Sequence, residues 1–493
     1  MKYIPTKVYA AVATLLRVGV VSAQSSVASS CSSTLSSAAT PSVAPGYVAR
    51  LVANGLTDPR GIKFDSEGAL LVVESEKGIT ALTLEDAGGG CISESSRKTV
   101  IADQDLNHGI EISEDGRTLY SSDPGKAYSW EYDPRTQKNT SEPRTLVTNM
   151  TNSDHTTRTL LLSRSAPGML VITRGSTSNI DALASDIETG HSQIKAFNLN
   201  NMTGSYDFHN DGLLLGWGLR NDVGIAEEPS TGRIYSVENS VDDMMRNGQD
   251  IHQTNPAEEL NFLGYLDGTS SSAQGRNFGY PECYTAWDPE TIPDFNNEIG
   301  EQFLIGRTND NRDDCMCSSE EREPPVLAFH PHMAPLDILF NEAGTAAWVT
   351  FHGSWNSEPP VGYKLSVIGF ENGEPVEPST SRTAAIDILS NADVASCNDE
   401  DCFRPVGLAW DSEGRLFMSS DTTGEIYVVM RADGSATSSA GSNATGTVPQ
   451  GASGTASNTG SSSSSKSASA TGVASATSMS ALAVIFGILA YFV

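Results

Sequence analysis

DPRGIKFDSEGALLVVE, from Asp58 to Glu74, and RPVGLAWDSEGRLFMSSD, from Arg404 to Asp421, state one phrase at opposite ends of the chain. Each has a polar or charged head, an apolar run, a turn holding Gly, and a second apolar run that ends on a polar residue. NHGIEISEDGRTLYSSD from Asn107 and NDVGIAEEPSTGRIYSVEN from Asn221 repeat it closely, while HTTRTLLLSRSAPGMLVITRG from His155 and APLDILFNEAGTAAWVTFH from Ala334 repeat it loosely. Two strand-length apolar runs of alternating character around a Gly, Asp, Ser or Pro turn read as a β-hairpin. The spacing between copies leaves room for the other strands of a four-stranded blade. Six copies therefore predict an all-β fold, a six-bladed β-propeller of four-stranded antiparallel blades. One such sheet alone leaves its faces bare, whereas sheets stacked radially cover one another. A β-sandwich is the alternative, disfavoured because sandwiches rarely repeat one phrase with the same head and tail chemistry.

The repeats place the folded part at residues 45–432, and the rest of the 493 residues divides by composition. In residues 1–23, Lys2 and Lys7 precede an apolar run, interrupted by Arg17, and Val21-Ser22-Ala23 offers small residues for cleavage, which predicts a secretory signal. Residues 24–44 are rich in Ser and Ala and predict a disordered arm. Residues 433–478 resemble a Ser/Thr/Gly-rich, O-glycosylated stalk. The apolar tail, 479–493, is short for a membrane span and fits a glycolipid (GPI) anchor signal, with the small residues from Ser467 to Gly472 as the attachment zone. A short membrane-inserted tail is the alternative. Acceptor triplets at Asn139, Asn149, Asn201 and Asn443 agree with secretion to an extracellular, cell-surface location, with membrane contact only through the lipid anchor.

Of seven cysteines, Cys31 falls in the arm and six fall in the globular part, an even number suited to disulfides in an oxidising compartment. Cys397 and Cys402 are expected to close a small loop. Cys315 and Cys317 are expected to reach Cys91 and Cys283, with a metal site at Cys315-Met316-Cys317 as the alternative. A formal charge of −30 excludes nucleic acid as a partner, since phosphate binding needs clustered Lys and Arg.

The innermost strands of a propeller line a central channel, so the heads and tails of the phrase converge on one mouth. The heads bring Arg60, Asn107, His108, His155, Arg158, Arg220, Asn221 and Arg404; the tails bring Glu74, Asp123, Arg174, Glu238, Asn239, His352 and Asp421. Arginines concentrated there, in a chain with 31 Lys and Arg against 61 Asp and Glu, point to an anionic ligand, because guanidinium pairs with carboxylate through two parallel bonds. Ion pairs that merely staple blades together are the bland alternative. In Asp154-His155-Thr-Thr-Arg158 an imidazole sits beside a carboxylate and a guanidinium, the setting of a general base. Glu238-Asn239-Ser240-Val-Asp242-Asp243 offers carboxylates, an amide and loop carbonyls, hard oxygens of the kind that bind Ca²⁺, or else a solvated acidic turn. His352-Gly353-Ser354-Trp355-Asn356, with Gly362-Tyr363-Lys364 behind it, could cover a flat ligand or equally serve as a structural turn.

These segments, in this order, resemble the pyrroloquinoline quinone (PQQ) dependent sugar dehydrogenases, over about residues 47–431. The resemblance rests on DPRG at Asp58, DHTTR at Asp154, RN at Arg220, ENSVDD at Glu238, NPAEELNFLG at Asn255, GRNFGYP at Gly275, FHGSWN at Phe351 with GYK at Gly362, and RPVG at Arg404. It is closer to the sorbosone and fungal pyranose dehydrogenase branch than to soluble glucose dehydrogenase, which has proline where this chain has Asp222. The resemblance implies oxidation of a sugar hydroxyl by hydride transfer to PQQ, with Ca²⁺ assisting and an external electron acceptor, a haem protein or a quinone, completing turnover. It makes His155 the base, with Arg158 beside it in the catalytic pair. It makes Arg60, Arg220, Asn221, His352, Trp355, Lys364 and Arg404 the cofactor contacts, and Glu238, Asn239 and Ser240 the metal site. Two other readings are kept open: a Ca²⁺-dependent lactonase or esterase on the same propeller, and a non-catalytic propeller that binds glycans or proteins.

Overall fold

The turn of each hairpin is dictated by its own side chains. Asp65 Oδ1 accepts from the backbone of Glu67 (3.0 Å) and Ala69 (2.8 Å), and Gly68 follows with a φ of 86°. Asp411 Oδ1 accepts likewise from Glu413 (3.0 Å) and Arg415 (2.9 Å), with Gly414 at a φ of 71°. An Asp bonded to the backbone two and four residues on, then a Gly in the left-handed region, closes the turn without strain.

The computed structural model describes residues 27, 31, 35–306, 313–318, 320–398 and 401–439. The expected leader, nearly all of the stalk and the apolar tail lie outside the described residues, among which no helix is long and apolar enough to cross a membrane. The described chain is all-β apart from short 3-10 turns, and its strands form six antiparallel blades. The innermost strands of the blades are, in order, Pro59–Phe64, Ile110–Ile112, Leu160–Leu162, Asp222–Glu227, Pro335–Phe340 and Pro405–Trp410. Each pairs with the second strand of its own phrase, so every copy of the repeat supplies the inner half of one blade. Apolar cores then fill the spaces between neighbouring blades, for example Trp348, Leu365, Met418 and Tyr427 between the fifth and sixth. Burying one such large side chain is worth roughly 1.5–3 kcal/mol, which is how non-local sheets are held together.

The glycines of the heads bring the inner strands into close contact. A β-carbon at Gly61 would lie 2.3 Å from the His108 carbonyl oxygen, one at Gly109 2.3 Å from that of Arg158, and one at Gly407 2.5 Å from that of Arg60. Any side chain at these three positions would push one blade off the next.

Two expectations are corrected. The arm is not without structure: Pro41–Val43 pairs with the outer strand of the fifth blade, Ala385–Asn391, and Ala38 N donates to Glu425 Oε1 (2.8 Å). The following segment, Tyr47–Ala53, is the outermost strand of the sixth blade, paired with Glu425–Arg431, so that blade joins the start of the folded chain to its end. The cysteine pairing also differs. Cys31 in the arm bonds Cys91, Cys283 bonds Cys317, and Cys315 is an exposed thiol, whereas Cys397–Cys402 pairs as expected. The arm's attachment explains this outcome, since it carries Cys31 to the edge of the first blade.

Blade four holds a long insertion between its strands Glu258–Tyr265 and Leu327–Phe329, with a hairpin of Cys283–Thr285 and Gln302–Leu304. Its core joins Tyr280, Tyr284 and Phe303 to Ala184 of the third blade's loop and to Val241, Met244 and Ile251 of the fourth's. Three loops at one end of the channel are thereby fixed together.

Candidate active site at the channel mouth

The tail of the third phrase turns at Gly175 and runs back past the head of the same phrase, which places Ser176 beside His155. His155 is 8% exposed and its backbone holds a φ of 24°, a conformation a non-glycine residue adopts only under restraint. The restraint is Arg158, which is fully buried. Its Nη1 donates to the carbonyls of His155 (2.8 Å) and Thr157 (2.5 Å), and its Nη2 to that of Met150 (2.6 Å). Burial and the nearby Arg174 bring its guanidinium down to about 9. Arg158 therefore lies behind the loop that carries His155.

His155 Nδ1 faces two oxygens of Ser176, Oγ at 2.8 Å and the carbonyl at 3.2 Å. Ser176 Oγ donates its own hydrogen to the Ser178 carbonyl (2.8 Å), and a carbonyl can only accept. Both oxygens therefore require a hydrogen on Nδ1, and Nε2 keeps the lone pair. Burial, then the Arg220 charge, hold the imidazole well below its ordinary value, so the ring is neutral. Nε2 makes no hydrogen bond among the described residues.

Arg60, Arg220 and Arg404 arrive from the heads of three other blades, all buried. Arg60 Nη1 pairs with Asp421 (2.5 Å) and Nε donates to His108 Nδ1 (3.3 Å), while Nη2 has no protein partner among the described residues. Arg404 donates to the carbonyls of His352 (3.3 Å) and Gly353 (2.7 Å) and lies over the Tyr363 ring. Arg220 donates to the Asn179 carbonyl (3.1 Å), Asn179 Oδ1 (2.8 Å), the Asn239 carbonyl (3.1 Å) and Asp242 (3.1 Å). Asn221 is buried beside it, and its side-chain amide makes no hydrogen bond among the described residues.

Asp421 also receives His352 Nε2 at 2.9 Å. Burial works against ionisation of Asp421, yet the His352 contact and the Arg60 and Arg404 charges more than offset it and hold the carboxylate below its usual range. Burial and then Arg404 push the His352 imidazole down to about 4, leaving it neutral with a buried Nδ1 that has no partner among the described residues.

Two further expected cofactor contacts, Lys364 and Trp355, lie next to residues that touch this group, Tyr363 under Arg404 and Asn356 bonded to Asp242 (2.9 Å). Lys364 Nζ pairs with Asp387 (2.9 Å) on the outer strand of the fifth blade, and it leans over the Phe351 ring. Trp355 projects from its loop with 62% of its surface exposed.

The expected metal residues divide. Glu238 turns into the fourth blade, where Oε1 accepts from Arg220 N (2.7 Å) and Oε2 from Asn261 Nδ2 (3.1 Å). It stands in one cross-strand row with Asp222 and Glu259, and burial raises all three; Asp222 rises to about 7. Asn239 Nδ2 donates to the Pro335 carbonyl (2.7 Å) and Ser240 N to Glu258 (2.7 Å). Asn239 Oδ1 and Ser240 Oγ accept no hydrogen bond among the described residues. No group of three or more His, Cys, Asp or Glu side chains arranged for a metal ion occurs among the described residues. A cation here would depend on neutral oxygens and on its ligand.

Sequence reasoning missed Ser176 and Asn179, which directly follow the tail Arg174-Gly175. Their position just beyond a tail was the available signal, but neither residue type announces chemistry by itself.

The chain as a whole is similar to known proteins. The TrAA12-like family matches residues 41–432. The PQQ-dependent sugar dehydrogenase of Hypocrea jecorina (strain QM6a) is 47% identical over 398 residues, 79% of this chain and 89% of that one. The PQQ-dependent pyranose dehydrogenase of Coprinopsis cinerea is 41% identical over 412 residues, 80% of this chain; the match spans only 55% of that relative. A calcium structure of a Trichoderma reesei carbohydrate-active enzyme of family AA12 superposes with a TM-score of 0.77 at 46% identity, covering 80% of this chain and 98% of that one.

Proposed function

Since the chain belongs to the TrAA12-like family, we propose that it is a PQQ-dependent sugar dehydrogenase and that the mouth just described is its active site. The observation that carries this reading is the pairing of an open, neutral His155 Nε2 with three buried arginines from other blades. A neutral base with an open ring nitrogen, set among arginines whose charge Asp421 and Asp242 offset only in part, suits a site for a planar tricarboxylate and an uncharged alcohol.

The residues present fit that cofactor. Arg60 and Asn221 are buried residues whose Nη2 and side-chain amide make no hydrogen bond among the described residues, which leaves both open to an anionic ligand. Arg220 and Arg404 add fixed positive charge. When bound, PQQ supplies the two-electron acceptor for the hydride that leaves the sugar carbon. His155 Nε2 takes the proton of the sugar hydroxyl, Ser176 steadies the imidazolium through Nδ1, and Arg158 keeps the backbone of the base in place. Ca²⁺ would be held by neutral oxygens such as Asn239 Oδ1 and Ser240 Oγ, and would polarise the carbonyl of the cofactor. The calcium structure of the Trichoderma reesei protein supports including this ion.

The substrate is an aldose, pyranose or ketoaldose, and the electrons then pass to an external acceptor, a haem protein or a quinone. Secretion and a C-terminal lipid anchor complete the reading; three disulfides and the glycosylation triplets support secretion. The test is reconstitution with PQQ and Ca²⁺, followed by reduction of an artificial acceptor across a panel of aldoses. Sugar-dependent reduction that needs PQQ supports the proposal. Hydrolysis of a lactone with Ca²⁺ alone, without such reduction, would replace it with the lactonase reading.

A further inference from the structure

The segment from Ser176 to Asn179 touches both halves of the site. At one end, Ser176 offers its hydroxyl and its carbonyl to the single Nδ1–H of His155. At the other, Asn179 accepts Arg220 Nε on its carbonyl (3.1 Å) and Arg220 Nη2 on its side chain (2.8 Å). Asn179 also ties down the fourth blade's loop, accepting from Asp242 N (2.9 Å) and donating to the Asp242 carbonyl (2.9 Å). Tyr280, from the insertion, fixes the middle: its hydroxyl lies 3.1 Å from the Asn179 carbonyl and accepts from Asp181 N (2.5 Å). Four residues thus hold a base from the third blade and a cation from the head of the fourth at a set separation.

We propose that this segment is a positioning element with two separable tasks: Ser176 orients His155 for proton transfer, and Asn179 orients Arg220 for the anionic cofactor. The Ser176 part follows from valence. The Oγ hydrogen is committed to the Ser178 carbonyl, so Oγ can receive the Nδ1 hydrogen but not compete for it. The resulting chain, Nδ1–H to Oγ–H to carbonyl, aligns its dipoles so as to favour positive charge on the ring when Nε2 accepts a proton. No carboxylate accepts from Nδ1, so the ring is oriented by neutral groups alone. The Asn179 part follows from geometry. Two of its oxygens grip two nitrogens of one guanidinium, which fixes the plane of the fork and not only its location.

The inference rests on the proposed function for its activity arm only, because the state of the His155 ring can be read without cofactor. The variants are Ser176→Ala and Asn179→Ala in the full chain, with His155→Ala used to assign the His155 ring signals among the eight histidines in ¹⁵N spectra. For Ser176→Ala we expect altered His155 ring nitrogen shifts in the apoprotein. After reconstitution, turnover should fall about tenfold, with PQQ affinity and KM for the sugar unchanged within about twofold. For Asn179→Ala we expect an unchanged His155 signal and PQQ affinity weakened by about tenfold or more. Ser176→Asp, which places a carboxylate against Nδ1, should raise the titration of the ring and move the acidic limb of kcat/KM upward. Ser176→Ala with unchanged ring signals would overturn the proposal whatever the activity, and so would both alanine variants changing turnover and affinity in parallel. If the wild-type protein binds no PQQ, the functional reading fails, while the ring signals still decide the role of Ser176.

Discussion

Gly175 is the contact through which His155 and Asn221 are set against each other: a β-carbon there would lie 2.9 Å from His155 Cβ and 2.6 Å from Asn221 Oδ1. The base of the third blade and an amide of the fourth thus close on one backbone atom. Gly175→Ala should lower turnover by about tenfold or more and destabilise the fold by roughly 1–3 kcal/mol, as crowding a packed site does. Gly204→Ala, where an added β-carbon meets nothing, is the control and should be neutral in both assays.

The pH profile should reflect the neutral support of His155. Burial and Arg220 hold its ring well below 6.5, so Nε2 remains a base in mildly acidic medium. The acidic limb of kcat/KM is expected below pH 6.5, measured with an acceptor whose own reduction does not vary with pH.

Asp421 balances Arg60 and receives His352, so Asp421→Asn leaves a buried guanidinium without its counter-charge. Loss of one partner of a buried pair costs on the order of 3 kcal/mol. A bound anion should replace part of that charge. Thermal unfolding should therefore show a larger upward shift with PQQ in Asp421→Asn than in the wild type.

Asp337 sits between the fifth and sixth blades, accepting from the backbone of Leu408 (2.8 Å) and Ile338 (2.8 Å). Burial pushes its carboxyl up to about 7, against 3.8 for the free side chain. Between those values the folded state binds the proton and the unfolded state does not, so stability is highest on the acid side and falls as pH rises toward 7. The loss is at most on the order of 4 kcal/mol. Asp337→Asn should flatten this part of the profile, as followed by denaturant unfolding at pH 4.5, 6 and 8.

The repeat made the blades legible because each copy carries its own strand alternation and turn code, as Asp65–Gly68 and Asp411–Gly414 do. It also located the mouth, since heads and tails share one end of the inner hairpins. What it could not reveal depends on contacts distant in sequence. Tyr47–Ala53 reads as an ordinary apolar run, and only its pairing with Glu425–Arg431 makes it a blade strand. Cys31 reads as part of a polar arm until that arm is seen attached. Lys364 was read as a cofactor contact because it follows the His352 loop, while its ion pair with Asp387, on the outer strand of the fifth blade, is a contact distant in sequence. Glu238 was drawn into the fourth blade by Asn261 and the Arg220 backbone, neither adjacent to it in sequence. Ser176 was invisible for a simpler reason, since a serine after a glycine becomes informative only when a histidine is found against it.

The most direct test compares the wild type with His155→Ala after both are given PQQ and Ca²⁺, measuring cofactor affinity and sugar-dependent acceptor reduction in the same preparations. The account predicts equal PQQ affinity within about twofold and turnover reduced by about a thousandfold in the variant, the scale of a lost general base. Turnover by His155→Ala at the wild-type rate, or a wild-type protein that binds no PQQ at micromolar concentration, would contradict it.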